Sequence, residues 1–170
     1  MWGSIINNSH TSWLKHITLS LVPLLFAFNA GQVFSARIIV EQELSFGSLS
    51  IYENNAVRTL DLQPNGTIIA DPAYIILTPG LPGRLLFTSN KGSRNLMVNI
   101  SITGSGLTSF SGKTADALFT IEPYITEGIY VTDQNGDLLL NLGGLLRSSG
   151  DGKTYLVGSY SLKYQVIINF

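Results

Sequence analysis

Residues 158–170 alternate. Tyr160, Leu162, Tyr164, Val166, Ile168 and Phe170 fall at every second position, with Ser161, Lys163, Gln165, Ile167 and Asn169 between them. Successive side chains of a strand point to opposite faces, so this stretch predicts one apolar and one mostly polar face. A terminal segment that stays apolar is expected to be tied into a sheet, because loose termini are polar. The same period recurs upstream. In 37–51, Ile38, Val40, Leu44 and Phe46 share one parity, Gln42 interrupts it, and Gly47 permits a bend before Leu49 and Ile51. Segments 58–62 and 67–70 flank Gln63-Pro64-Asn65-Gly66, and an Asn-Gly between β-rich runs predicts a hairpin.

Further strands are predicted over 74–78, 84–89 and 95–103, the last with Leu96, Val98, Ile100 and Ile102 on one face. Residues 104–114 are rich in Gly, Ser and Thr and read as a loop. A strand over 118–122 is expected to stop at Pro123. Segments 128–132 and 137–142 flank Asp133-Gln134-Asn135-Gly136, a second expected hairpin, and Gly143-Gly144 follows it. No helical period is sustained after residue 36. Short strands with turn signals every 8–12 residues or so predict an all-β sandwich of about eight to ten strands.

The first 35 residues differ. Residues 17–28 (ITLSLVPLLFAF) form an apolar run with Pro23 inside it. The run is short of the roughly 20 residues that span a bilayer and fits the core of a signal peptide. Val33 and Ser35 suit the −3 and −1 positions of a cut after Ser35; a cut after Ala36 fits nearly as well. The expected organisation is a signal peptide over 1–35 and one exported domain over 36–170, with no membrane attachment after cleavage.

That reading removes most catalytic chemistry. The two histidines, His10 and His16, lie in the leader, and the chain has no cysteine. A Ser-His-Asp triad, a Cys-His pair and an ordinary zinc site are therefore excluded from the mature chain. Asp61, Asp71, Asp133, Asp137 and Asp151 sit beside turns, where Asp bonds its own backbone, and no carboxylate pair is nominated. Residues 133–137 lack the bidentate Glu of a calcium loop. No enzyme, cofactor or metal site is expected. A formal net charge of −1 argues against a nucleic-acid surface. Asn65-Gly66-Thr67 and Asn99-Ile100-Ser101 match the glycosylation acceptor pattern, a triplet that chance often supplies. Tyr52, Tyr74, Tyr124, Tyr130 and Tyr155 are of the type that stacks on sugars, but aromatics are equally favoured in strands for packing.

An ordered set of short motifs carries a resemblance. It comprises Leu44-Ser45-Phe46-Gly47-Ser48-Leu49, Pro64-Asn65-Gly66-Thr67, Pro82-Gly83-Arg84-Leu85-Leu86-Phe87 and Leu142-Gly143-Gly144-Leu145-Leu146. The closing Gly158-Ser159-Tyr160 with alternating 163–168 completes it. Together these resemble the family catalogued as domain of unknown function 4402, over nearly all of 36–170. That family is exported by bacteria and grouped with pilin-like adhesin domains. The resemblance implies an immunoglobulin-like, pilin-like sandwich assembled with a periplasmic chaperone, an outer-membrane usher and like subunits. Residues 37–43 would be either the strand donated to the next subunit or the subunit's own first strand.

The expected function is that of an exported structural subunit, or minor component, of a fimbria-like surface assembly joined by β-strand addition. The alternative is a self-contained secreted binding module for a carbohydrate or a host-surface ligand. The residues assigned to the subunit interface are Ile38, Val40, Leu44, Phe46, Tyr164, Val166, Ile168 and Phe170. Mass spectrometry of the exported protein is expected to find a new N-terminus at Ala36 or Arg37. A chain that still begins at Met1 after export overturns the leader.

Overall fold

The computed structural model describes residues 36–89, 95–111, 117–126 and 128–169. The expected signal peptide and Phe170 lie outside the described residues. The chain order is β1 (Ala36–Gln42), β2 (Ser48–Ile51), β3 (Thr59–Leu62), β4 (Ile68–Ala70), β5 (Tyr74–Thr78), β6 (Gly83–Ser89) and β7 (Met97–Thr103). Then come β8 (Gly106–Leu107), β9 (Ser109–Phe110), β10 (Thr120–Ile125), β11 (Tyr130–Val131), β12 (Asp137–Arg147), β13 (Tyr160–Ser161) and β14 (Gln165–Asn169). No helix occurs among the described residues, and the class is all-β.

One seven-stranded sheet runs β1-β6-β12-β10-β8, with β3 also on β12 and β4 on β3. A three-stranded sheet runs β11-β7-β14, and the pairs β2-β5 and β13-β9 stand alone. The smaller layers cover the inner face of the large sheet. Leu85, Leu140 and Leu142 of the large sheet form a buried cluster, on which Ile100, Ile102, Tyr130, Tyr164, Val166 and Ile168 pack from the other side. Leu60, Leu62, Leu146, Tyr74 and Phe119 form a second cluster, covered by Leu49 and Ile51 of β2 and by Tyr155 and Tyr160. This two-layer burial is the sandwich that alternation predicts.

The strand count exceeds the expected eight to ten because several β-rich runs are subdivided. The 37–51 run breaks at Gly47, whose φ is +76° and where a Cβ would sit 2.1 Å from the Thr78 carbonyl oxygen. The 104–114 loop holds β8 and β9, two residues each. The terminal run is not one strand: β13 pairs with β9 and β14 with β7, with 162–164 between them. Its alternation of burial nevertheless persists from Tyr160 to Gln165.

One expected stop, and one expected strand boundary, do not end their strands. β10 passes through Pro123, which pairs with Gly144 of β12. On the other side of β10, β8 reaches only Thr120 and Ile121, so Pro123 stands where no ladder bond is required. Likewise β12 runs through Gly143-Gly144. Both faces there are filled by neighbours. A Cβ on Gly144 would lie 2.8 Å from Phe46 Cζ, and one on Gly143 would lie 2.6 Å from the Leu62 carbonyl oxygen.

The first expected hairpin forms. Gly66 N donates to the Gln63 carbonyl at 2.8 Å, Gln63 N to that of Thr67 at 2.8 Å, and Gly66 takes φ +86°. The second turn forms without its hairpin. Gly136 N donates to the Asp133 carbonyl at 3.1 Å, but β11 pairs with β7 while β12 pairs with β6. The turn is thus a corner between layers. The Asp133 carboxylate accepts from the backbone of Asp137 at 2.9 Å and of Asn135 at 2.8 Å, and these bonds hold its carboxyl below the ordinary range.

Gly143→Ala is expected to lower stability by about 1–3 kcal/mol through overpacking. Gly128→Ala, where nothing lies within 4 Å of the added carbon, should change it by less than about 0.5 kcal/mol. Urea unfolding of the two variants checks the contrast, and equal losses would show that the close approach at Gly143 relaxes freely.

Candidate interface at the terminal strands

The eight residues assigned from the sequence divide into groups. Ile38 and Val40 of β1 pair with Phe87 and Leu85 of β6, both buried, so these two side chains share the inner face. Ile38 packs on the Leu85–Leu140–Leu142 cluster, but Val40 is 50% exposed. Beyond Val40 the register shifts by one residue, and the Gln42 side chain donates to the Pro82 carbonyl at 2.5 Å. Leu44 and Phe46 then pack on the other cluster, around Leu60 and Leu62. Tyr164, Val166 and Ile168 return to the cluster that Ile38 joins. Phe170 falls outside the described residues.

The first and last strands therefore meet one core from opposite layers. Burial, and then the Glu43 carboxylate, raise the Tyr164 hydroxyl's pKa, which sets the start of β14 beside the chain leaving β1. Gly104 admits the close approach of Tyr164, where a Cβ would lie 2.8 Å from the Tyr164 Cα.

The edges of the two main sheets are unequal. Among the described residues, the large sheet ends in β1, seven residues long, in β8, two residues long, and, on the branch through β3, in β4, three residues long. The three-stranded sheet ends in β14, five residues long, and β11, two residues long. Very short edge strands offer little to a partner, whereas long ones present a row of unpaired N–H and C=O groups. β14 reads QVIIN, with neither charge nor proline to blunt it. Both long edges belong to the strands that cover the Leu85–Leu140–Leu142 cluster, and Val40 leaves apolar surface uncovered there.

Other candidates disperse. Tyr74 is buried, Tyr155 stacks on Phe119 with ring centroids 4.0 Å apart, and Tyr130 packs on the core. Tyr52 is exposed, and Tyr124 donates to Asp61 Oδ1 at 2.6 Å. Asp71 and Asp151 accept from the backbone two residues on, as turn residues do. No group of three or more His, Cys, Asp or Glu gathers among the described residues.

Two apolar features have no counterpart in the sequence reading. Ile39, Leu86 and Leu139 stand in register across β1, β6 and β12, opposite in parity to the buried Phe87 and Leu140. In β5 only Tyr74 is buried, while Ile75, Ile76 and Leu77 are exposed, Leu77 by 67%. Alternation cannot reveal either one, because both lie in uninterrupted apolar runs.

No family model, curated protein or solved structure matches this chain.

Ile38→Ala is expected to cost about 1–2 kcal/mol, below the 2–5 kcal/mol or so of a fully buried site because Ile38 is half-buried. Val40→Ala should cost less than about 0.5 kcal/mol. Denaturant melts of the two variants test this. Equal costs would mean that Val40 is covered after all.

Proposed function

We propose that residues 36–170 form an exported structural subunit of a fimbria-like surface assembly, joined to its neighbours by β-strand addition. The observation that carries this reading is the asymmetry of the edges. Among the described residues, the main sheets end in the short strands β8, β11 and β4, of two, two and three residues, and in β1 and β14, of seven and five residues, whose outer edges carry no partner strand. A partner strand entering there satisfies the free backbone groups of the edge and places side chains over Val40. Backbone pairing supplies affinity, and the apolar surface selects the partner's sequence.

The resemblance on the five quoted motifs favours the same reading. It supplies the immunoglobulin-like topology and the partners: a periplasmic chaperone that holds the open flank, an usher, and like subunits. β1 lies in the chain's own sheet, so the subunit receives a strand without giving up its first one. On this reading the domain acts by packing and strand pairing.

In the native host, protein sheared from the cell surface is expected to run as a ladder of multimers. A charge on an edge strand opposes pairing, so Val40→Lys should collapse the ladder to single subunits while leaving the melting temperature within a few degrees. Val57→Lys, at another exposed position, should leave the ladder intact. A wild-type chain found only as monomer, or a ladder indifferent to Val40→Lys, overturns the proposal.

A further inference from the structure

A shallow groove lies between the β3–β4 turn and the end of β10. Gln63, Pro64, Asn65, Tyr124, Ile125 and Thr126 line it, and its volume is about 520 Å³. That is within the span of roughly 300–1,000 Å³ typical of small-molecule sites. We propose that this groove binds a neutral saccharide.

Its floor is built across three strands. Tyr124 of β10 reaches over β12 to Asp61 of β3, and its hydroxyl donates to Asp61 Oδ1 at 2.6 Å. Gly143 of β12 lies under this crossing. A Cβ there would sit 2.9 Å from Tyr124 Cζ and 2.7 Å from Pro64 Cδ. The missing side chain thus lets the tyrosine and proline rings settle close together, and the hydrogen bond fixes the tyrosine. Two rings side by side form an apolar platform, and pyranose rings carry an apolar C–H face that suits one.

The rim is polar and uncommitted. The Gln63 side-chain amide and the Thr126 hydroxyl make no hydrogen bond to any described residue. Asn65 Oδ1 accepts from Thr67 N at 2.9 Å, which leaves the Asn65 amino group free to donate. Asp61 engages Tyr124 through one oxygen only. Amides that donate and accept, a hydroxyl and a carboxylate that accepts match the hydroxyls of a sugar, which do both. No lysine or arginine lines the groove, and Asp61 lies beside it, so phosphates and other anions are disfavoured. The openness of the site disfavours a purely apolar ligand, which gains most in an enclosed cavity.

The groove shares no residue with the β1–β14 flank. β6 and β12 separate β1 from β10 in the sheet. The inference does not rest on strand addition, and a subunit paired through its terminal strands would keep the groove open.

The test is amide-resolved NMR of the full chain after export, titrated with lactose, maltose and chitobiose and followed by a mixed glycan panel. At least one saccharide is expected to shift the amides of Gln63, Asn65, Tyr124, Thr126 and Gly143, with a Kd in the millimolar range. Gln63→Ala and Tyr124→Ala should each weaken that binding about tenfold while the remaining spectrum stays unchanged. Because Tyr124→Ala removes a packed ring, Gln63→Ala is the decisive variant. Shifts produced by spermidine and not by sugars would make the site an anionic patch and overturn the proposal. So would the absence of shifts with every glycan, or shifts that ignore Gln63→Ala.

Discussion

The structure depends on one strand passing through a place with no room for side chains. β12 pairs with β6 over Asp137–Leu142, with β10 over Leu142–Arg147 and with β3 over Gly144–Arg147. It also supplies both cores: Leu140 and Leu142 to one cluster, Leu146 to the other. Where its partners change, Phe46 and Leu44 approach one face and Pro64 and Tyr124 the other. Glycine inside a strand costs about 0.5–1 kcal/mol of backbone entropy. Here it permits contacts on both faces that any Cβ would push apart. The two clusters are consequently held at a fixed spacing by one continuous backbone.

Once β12 is fixed, the edges follow. β11 is followed by the corner at Asp133, and beyond β8 Thr108 N still donates to the Phe119 carbonyl at 2.8 Å. Among the described residues, the edges β8, β11 and β4 are two or three residues long, whereas β1 and β14 end their sheets with seven and five. The core between the long edges is only partly roofed, as half-exposed Val40 shows.

Much of this was legible in the chain. The alternation of 95–103 gave the faces of β7 correctly, with Val98, Ile100 and Ile102 covered and Met97, Asn99, Ser101 and Thr103 exposed, and Pro64-Asn65-Gly66 marked the turn that forms. The parity of Ile38 and Val40 was also right. What alternation cannot say is whether a roof exists over an inward position, and it does not for Val40. Pro123 was expected to stop its strand and the strand before Gly143-Gly144 was bounded at Leu142, because the tolerance of both sites depends on neighbours distant in sequence. β8 and β9 are too short to show a period. Asp61 and Tyr124 are 63 positions apart, and only the pairing of β3 and β10 with the same strand brings them to 2.6 Å. No local pattern encodes that contact, although both residues had been singled out for other reasons.

The distribution of charge bears on which surface associates. The outer face of the large sheet carries the apolar row Ile39–Leu86–Leu139, but ion pairs stand on it: Glu41 with Arg84 at 3.1 Å and Glu122 with Arg147 at 3.0 Å. Exposed pairs of this kind contribute about 0–1 kcal/mol each, too little to be their main consequence. Their larger effect is to make association through that face costly, since a partner would have to strip water from four charged groups. Arginine stems also cover apolar neighbours while their heads stay in water. β14 carries no charge at all, and the charged side chains of β1, Arg37 and Glu41, belong to the outward parity, leaving Val40 on the other face without one. The sheet face is thus guarded and the flank is not. A difference in desolvation cost of that kind directs contact toward the open backbone edges without requiring any strong attraction of its own.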